Sequence, residues 1–94
     1  MITAIVLIKT EVARIDEVAR EIAALDGVSE VYSITGEYDL VAMVRVRGHE
    51  RLAEVIPGRI NKVPGIRETE THLAFKTYSQ HDLEAAFSLG LPEE

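Results

Sequence analysis

The segment LDGV at residues 25–28 recurs as VPGI at residues 63–66, and Ile22 matches Ile60 at the same offset. Each half of the chain therefore has the order strand, helix, turn, strand, and such self-similarity indicates a repeated structural unit. Two βαβ halves in one short chain predict a ferredoxin-like βαββαβ fold of the α+β class. Its expected architecture is a four-stranded antiparallel sheet with two helices on one face.

The strands differ in their apolar patterns. Residues 2–9 (ITAIVLIK) and 40–47 (LVAMVRVR) are apolar at nearly consecutive positions, which is typical of strands buried on both faces. These are the first and third strands, and the βαββαβ arrangement places both in the centre of the sheet. Residues 66–78 instead alternate between polar and apolar types, so we predict a long edge strand with one polar face.

Two helices and a separate tail complete the pattern. Residues 13–25 carry an apolar stripe at helical spacing, and residues 49–61 carry a second one that Pro57 is expected to kink or end early. We assign residues 1–79 to the ferredoxin-like domain. Residues 80–94 form a tail in which Leu83, Ala86 and Phe87 predict a short C-terminal helix.

The arrangement predicts self-association. Both helices of this fold cover the same face of the sheet, yet the central strands are apolar on both faces. An exposed apolar face of this size usually marks an interface. We therefore expect a homodimer packed through the open face, with the C-terminal helix reaching onto the partner. The competing interpretation is that the C-terminal helix covers the sheet of its own chain.

Composition excludes several classes of function. The chain has 94 residues, a net charge of −6 and no cysteine. Because duplex-DNA binders normally carry a basic surface, direct nucleic-acid binding is disfavoured. The absence of cysteine excludes disulfides and thiolate metal sites and favours a cytoplasmic location. No apolar stretch is long enough to span a membrane. The three histidines lack metal-ligand spacing, and no catalytic constellation or cofactor motif is present.

One longer motif is more specific. Residues 31–46 (VYSITGEYDLVAMVRV) contain an aromatic residue, a T-G-x-Y-D loop and an apolar strand, and VPGI at 63–66 leads into Thr69 and Thr71. These landmarks resemble the effector-binding (RAM) domain of the Lrp/AsnC transcription regulators. The resemblance spans nearly the whole chain. The helix-turn-helix that precedes this domain in the family has no counterpart here, so the chain resembles a stand-alone form.

The resemblance implies a function. Family members form dimers that assemble into rings, often octamers, and bind amino acids or similar metabolites between dimers. The loop before the third strand and the T-x-T strand supply many of the contacts. Carried over to this sequence, the expected ligand-binding residues are Thr35, Gly36, Tyr38, Asp39, Thr69 and Thr71. Expected partners are further copies of the chain and full-length Lrp/AsnC regulators, and no cofactor or metal is expected.

Each of these residues also has a purely structural interpretation. Gly36 serves a tight turn whether or not a ligand approaches it. Asp39 either binds a ligand ammonium group or accepts backbone N–H groups within its own loop. Tyr38 lines a pocket or packs in the dimer contact. Threonines are favourable strand residues, although Thr69 and Thr71 share one face, which adds weight to a functional role.

Two other functions remain open at this point. One is an enzyme of the dimeric ferredoxin-like barrel class, such as a monooxygenase. It would need a cavity with reactive side chains, whereas the chain has no Trp and His72 lies on the polar face of an edge strand. The other is a ligand-independent partner that inserts into the assemblies of full-length regulators.

Overall fold

The computed structural model describes residues 1–79. Four strands and two α-helices follow in the order βαββαβ. They are β1 (Ile2–Thr10), α1 (Ile15–Ala23), β2 (Val28–Ser33), β3 (Leu40–Val46), α2 (His49–Val55) and β4 (Ile66–Ala74). All neighbouring strands are antiparallel and the sheet order is β2-β3-β1-β4. The ferredoxin-like prediction is confirmed, including the central position of β1 and β3. The predicted C-terminal helix lies outside the described residues.

Alternate residues of the central strands form the core. Ala4, Val6 and Ile8 of β1 lie opposite Val44, Ala42 and Leu40 of β3, and all six are fully buried. Val18 and Ile22 of α1 and Val55 of α2 belong to the same buried cluster, so both helices lie on this side of the sheet, which we call the covered face. Burial of apolar side chains here is the main source of stability within one chain.

The second helix ends early, which is one of the two outcomes that the sequence predicted. Residues 49–55 are α-helical, and the chain then turns through Pro57 and Gly58 into a single 3₁₀ turn at Ile60–Lys62. Proline cannot donate a backbone hydrogen bond, so it disfavours continuation. Gly58 fits the turn because a Cβ atom there would lie 2.3 Å from the carbonyl oxygen of Glu54. Ile60 remains fully buried, so the repeat pattern is kept although the helix is not.

The opposite face of the sheet, which we call the open face, presents the other set of alternate residues. Ile5 pairs with Met43 and Leu7 with Val41, and these four side chains are only partly buried. Tyr32 of β2 lies beside Val41 and is 51% exposed. The open face therefore has an apolar centre that no helix among residues 1–79 covers.

Candidate functional site

The loop between β2 and β3 is closed by short backbone contacts. The Ile34 N–H donates to the Asp39 carbonyl at 3.0 Å, and the Asp39 N–H donates to the Ile8 carbonyl at 2.9 Å. Gly36 has φ +112° in between, a conformation that glycine adopts without strain. A Cβ atom at Gly36 would meet nothing within 4 Å. The predicted tight turn is present, and its tip, with Thr35 and Gly36, is exposed.

Asp39 holds this loop against the end of β1. One of its carboxylate oxygens accepts the backbone N–H of Thr10 at 2.9 Å. The contact lies where the pairing of β1 with β4 changes register, between Lys9 and Thr10. A carboxylate can satisfy the amide that such an irregularity leaves without its ladder partner. The structure therefore gives Asp39 a loop-fixing role, and its contact with a ligand stays a prediction.

Tyr38 extends from the loop onto the open face. Its hydroxyl donates to Glu70 Oε1 of β4 at 3.2 Å, and the Lys9 ammonium lies 5.5 Å from the centre of its ring. Partial burial raises the pKa of Tyr38, and the contact with Glu70 raises it further. The phenol therefore stays protonated and acts as a hydrogen-bond donor at neutral pH.

Glutamates surround this tyrosine. Lys9 Nζ lies 3.3 Å from Glu37 and 3.4 Å from Glu68, and the hydrogen bond to Glu37 is the largest cause that raises the pKa of Lys9. His72 Nε2 lies 2.7 Å from Glu70, and this contact, with that from Tyr38, lowers the pKa of Glu70. These side chains form a polar cluster on the open face, which we call the Tyr38 cluster. Its members are Lys9, Glu37, Tyr38, Glu68, Glu70 and His72.

The two threonines predicted for the ligand lie elsewhere. Thr69 pairs with Ile8 and Thr71 with Val6, so both side chains point to the side of the sheet that carries the helices. The Thr69 hydroxyl donates to the Asn61 side-chain oxygen at 3.1 Å, and Thr71 is exposed. The two share one face, as expected, but it is opposite to that of the Tyr38 cluster. Within one chain, the six predicted residues do not line one cavity.

The polar cluster was not predicted from the sequence. The alternation of residues 66–78 predicts one polar face, which holds Glu68, Glu70 and His72, but their neighbours on β1 depend on strand register. The observed pairing sets Glu68 beside Lys9 and Glu70 beside Leu7. The sequence carries one indication of this cluster, which is a lysine at the end of an apolar strand in a chain rich in acidic residues.

Residues 1–79 contain neither a metal-binding cluster nor a helix that could span a membrane. Within residues 1–79, no group of three His, Cys, Asp or Glu side chains is placed to hold a metal ion. No helix in the same range is long and apolar enough to cross a membrane.

The family profile described as "Lrp/AsnC ligand binding domain" matches residues 3–83. The chain belongs to the Lrp/AsnC family. The curated relatives that it matches are named as transcriptional regulators: the HTH-type transcriptional regulator FL11 of Pyrococcus horikoshii is 32% identical over 77 residues, which is 82% of this chain and 50% of the relative. The Lrp/AsnC domain thus spans about half the length of the curated relatives it matches.

Solved structures similar to this Lrp/AsnC domain include short and long proteins. TTHA0845 from Thermus thermophilus is 46% identical with a TM-score of 0.80, and the match covers 85% of this chain and 100% of that one. The feast or famine regulatory protein Rv3291c from M. tuberculosis, complexed with L-methionine, is 26% identical with a TM-score of 0.70, and the match covers 85% of this chain and 54% of that one. AsnC of E. coli is 23% identical with a TM-score of 0.76, over 81% of this chain and 52% of AsnC, and shows the shared fold.

Proposed function

We propose that this Lrp/AsnC domain is an oligomeric regulatory module that binds a free amino acid or a similar small metabolite. The observation that carries the proposal is the match to the Lrp/AsnC ligand binding domain over residues 3–83. The L-methionine bound to the M. tuberculosis relative supports an amino acid as the ligand class. The relatives' role in transcription supports regulation rather than catalysis.

The open face supports a homodimer. Ile5, Leu7, Val41 and Met43 form a continuous apolar patch across the two central strands, and Tyr32 extends it to β2. A second copy presents the same patch, so two open faces can pack in an isologous contact that removes both from water. Dimers of this kind are the proposed unit of a larger ring, of which an octamer is one form.

The exposed tip of the β2–β3 loop is the proposed point of ligand contact. Thr35 offers a hydroxyl and Gly36 lets a ligand approach the backbone. Asp39 and Tyr38 shape the loop through their contacts with Thr10 and Glu70. Thr69 and Thr71 lie on the other face of the sheet, so we propose that they meet the loop of a neighbouring subunit. A ligand site between subunits makes binding and assembly depend on each other.

The proposed function does not include direct DNA binding. The net charge of −6 opposes association with a polyanion, and a regulatory effect would then require a partner that contacts DNA. A full-length Lrp/AsnC regulator, assembled through the same domain in the cytoplasm, is the partner we propose. The curated relatives are named as HTH-type regulators, which supports a DNA-contacting partner from the same family.

Thermal unfolding in the presence of each common amino acid at millimolar concentration tests the proposal. A ligand that binds only the folded state raises the midpoint temperature of unfolding. At a hundredfold excess over the dissociation constant, it adds about 2.7 kcal/mol to the free energy of unfolding. We expect at least one amino acid to raise it, and Thr71→Val to weaken that effect about tenfold, near 1.4 kcal/mol. Thr77→Val, an exposed threonine outside the proposed site, is the matched control.

Two results would change the interpretation. If no amino acid raises the midpoint while the protein still co-purifies with a helix-turn-helix relative, the chain is a ligand-independent assembly partner. If no amino acid has an effect and the chain neither self-associates nor joins a relative, the proposal fails.

A further inference from the structure

A second candidate site lies at the opposite end of β3 from the Tyr38 cluster. A pocket of about 390 Å³ is bounded by the end of β3, the turn between α1 and β2, and α2. The seven residues of β3 span about 20 Å, so this pocket is well separated from the β2–β3 loop. Its lining residues are Met1, Asp26, Gly27, Arg45, Val46, Arg47 and Arg51.

The three arginines of this pocket differ in how far their charge is neutralised. Arg51 contacts both Asp26 and Glu54, so it is paired twice. Arg45 has one carboxylate neighbour, Glu30, at 3.3 Å. Arg47 makes no ion pair or hydrogen bond with any side chain of residues 1–79, so none of its five guanidinium donors is used within that range. Among residues 1–79, the Arg47 guanidinium of this pocket is thus unpaired, and that of Arg45 contacts a single carboxylate.

The walls of the pocket are fixed by local packing. The Gly27 carbonyl accepts the backbone N–H of Arg45 at 3.0 Å, which ties the turn to the end of β3. Gly27 has φ +97°, and a Cβ atom there would lie 2.8 Å from Val55 Cγ2 of α2. The pairing of β2 with β3 is also irregular between Val28 and Glu30. Such irregularities redirect side chains next to functional sites.

We propose that this pocket binds a small molecule that carries one anionic group, a carboxylate or a phosphate, on an apolar body. Arg47 and Arg45 hold the anionic group, because a guanidinium matches either anion with two parallel N–H donors. The apolar body lies against Met1 and Val46. The site goes beyond the proposed function, since it uses none of the loop or threonine residues assigned to the amino acid.

Size and charge both favour a small ligand rather than a polymer. A volume of about 390 Å³ is at the lower end of the range for small-molecule pockets. The chain is acidic overall, so long-range attraction for a polyanion such as nucleic acid is absent. Binding must then come from short-range contact with the two guanidiniums, and it weakens as salt screens them.

Calorimetric titration of the full chain with isovalerate and with orthophosphate, at fixed ionic strength, tests the proposal. Isovalerate presents a carboxylate on a branched apolar body, and orthophosphate presents the other anionic group alone. We expect binding of isovalerate that weakens at least tenfold in Arg47→Gln, with Arg45→Gln as the second pocket variant. Arg59→Gln removes the same charge outside the pocket and is the control, for which we expect unchanged binding.

The outcomes distinguish a carboxylate ligand from a phosphate ligand, and a specific anion site from a general charge effect. Tighter binding of orthophosphate than of isovalerate, lost in Arg47→Gln, still supports the anion site and identifies a phosphate ligand. Binding that Arg59→Gln weakens equally would be a general charge effect and would overturn the proposal. So would the absence of binding of both probes, or an Arg47→Gln variant that changes the solution mass instead of anion binding. A failure of amino-acid binding at the loop leaves this result unaffected.

Discussion

The two faces of the sheet are built from the same strands but reach very different states. On the covered face, Val6 and Ala42 are fully buried beneath the two helices. One residue further along each strand, Leu7 and Met43 lie on the open face and keep part of their surface in water. Both sets are comparably apolar. The difference therefore arises from what covers each face and not from its composition.

This contrast distinguishes the stabilisation that one chain provides by itself from the stabilisation that would require an assembly. Apolar area on the covered face is removed from water by the chain's own helices, so its contribution is independent of protein concentration. In the proposed dimer, area on the open face contributes fully only when a second copy covers it, so its contribution should follow mass action. Substitutions on the two faces should therefore have different signatures.

The largest effect is expected on the covered face. Leu40→Ala removes a fully buried side chain and leaves a cavity, so it should lower the free energy of unfolding by about 2–5 kcal/mol. Leu73→Ala makes the same chemical change at a side chain that is 44% exposed, and should cost clearly less. Urea unfolding at two protein concentrations measures both. Leu73 pairs with Ala4 and so lies at the edge of the same covered face, and equal losses would therefore show that burial does not decide the size of the effect.

A charge in the centre of the open face should act on association. Met43→Glu would bury an unpaired carboxylate in the proposed dimer contact, which is costly, so we expect self-association about a hundredfold weaker, near 2.7 kcal/mol. Ala23→Glu adds the same charge on the exposed side of α1 and should leave association unchanged. Sedimentation over a dilution series measures the two constants. A Met43→Glu variant that associates normally would exclude the open face as the interface.

Substitutions at two glycines allow a packed turn to be compared with an open one. Gly27 and Gly36 both have positive φ, so alanine strains either backbone, by about 1–3 kcal/mol. At Gly27 the added methyl also meets Val55 at 2.8 Å, whereas at Gly36 it meets nothing within 4 Å. Gly27→Ala should therefore lower the free energy of unfolding by about 1–3 kcal/mol more than Gly36→Ala does. Chemical unfolding of both variants tests this, and equal losses would contradict the packing described around Gly27.

The smallest effect is a pH dependence from the Tyr38 cluster. The contact with His72, together with that from Tyr38, holds the pKa of Glu70 below its ordinary value of 4.5. A carboxyl group with a lowered pKa in the folded state stabilises the protein above its unfolded pKa. That stabilisation is lost as the pH falls through the lower, folded value.

Urea unfolding between pH 7 and about pH 3 measures this contribution. The wild type should lose more stability on acidification than Glu70→Gln. Glu21→Gln, on the exposed side of α1 and without an ion pair to residues 1–79, should follow the wild type. Parallel curves for all three proteins would show that the Glu70 contacts do not stabilise the fold.

Strand periodicity was enough to predict most of the fold. Consecutive apolar residues placed β1 and β3 in the centre, and Pro57 correctly indicated the early end of α2. The same reasoning located Asp39 in a tight loop but did not choose its partner, because the Thr10 amide becomes available only through an irregularity in strand pairing. Irregular pairing depends on contacts distant in sequence, and local patterns do not encode them.

The candidate sites were harder to predict for the same reason. Alternation placed Thr69 and Thr71 on one face, yet which face also holds Tyr38 depends on strand register and on the loop's path. The pocket at the end of β3 brings together Asp26, Arg45 and Arg51 from three separate segments of the chain. Neither grouping has a sequence spacing of its own, so both required the three-dimensional structure.

The solution mass of the wild-type protein at micromolar concentration, measured by light scattering, tests the account most directly. If the apolar centre of the open face is an interface, the mass corresponds to two copies of the 10.4 kDa chain or to a multiple of two. A stable monomer at that concentration, with and without amino acids, would contradict it and would also remove the proposed ligand site between subunits.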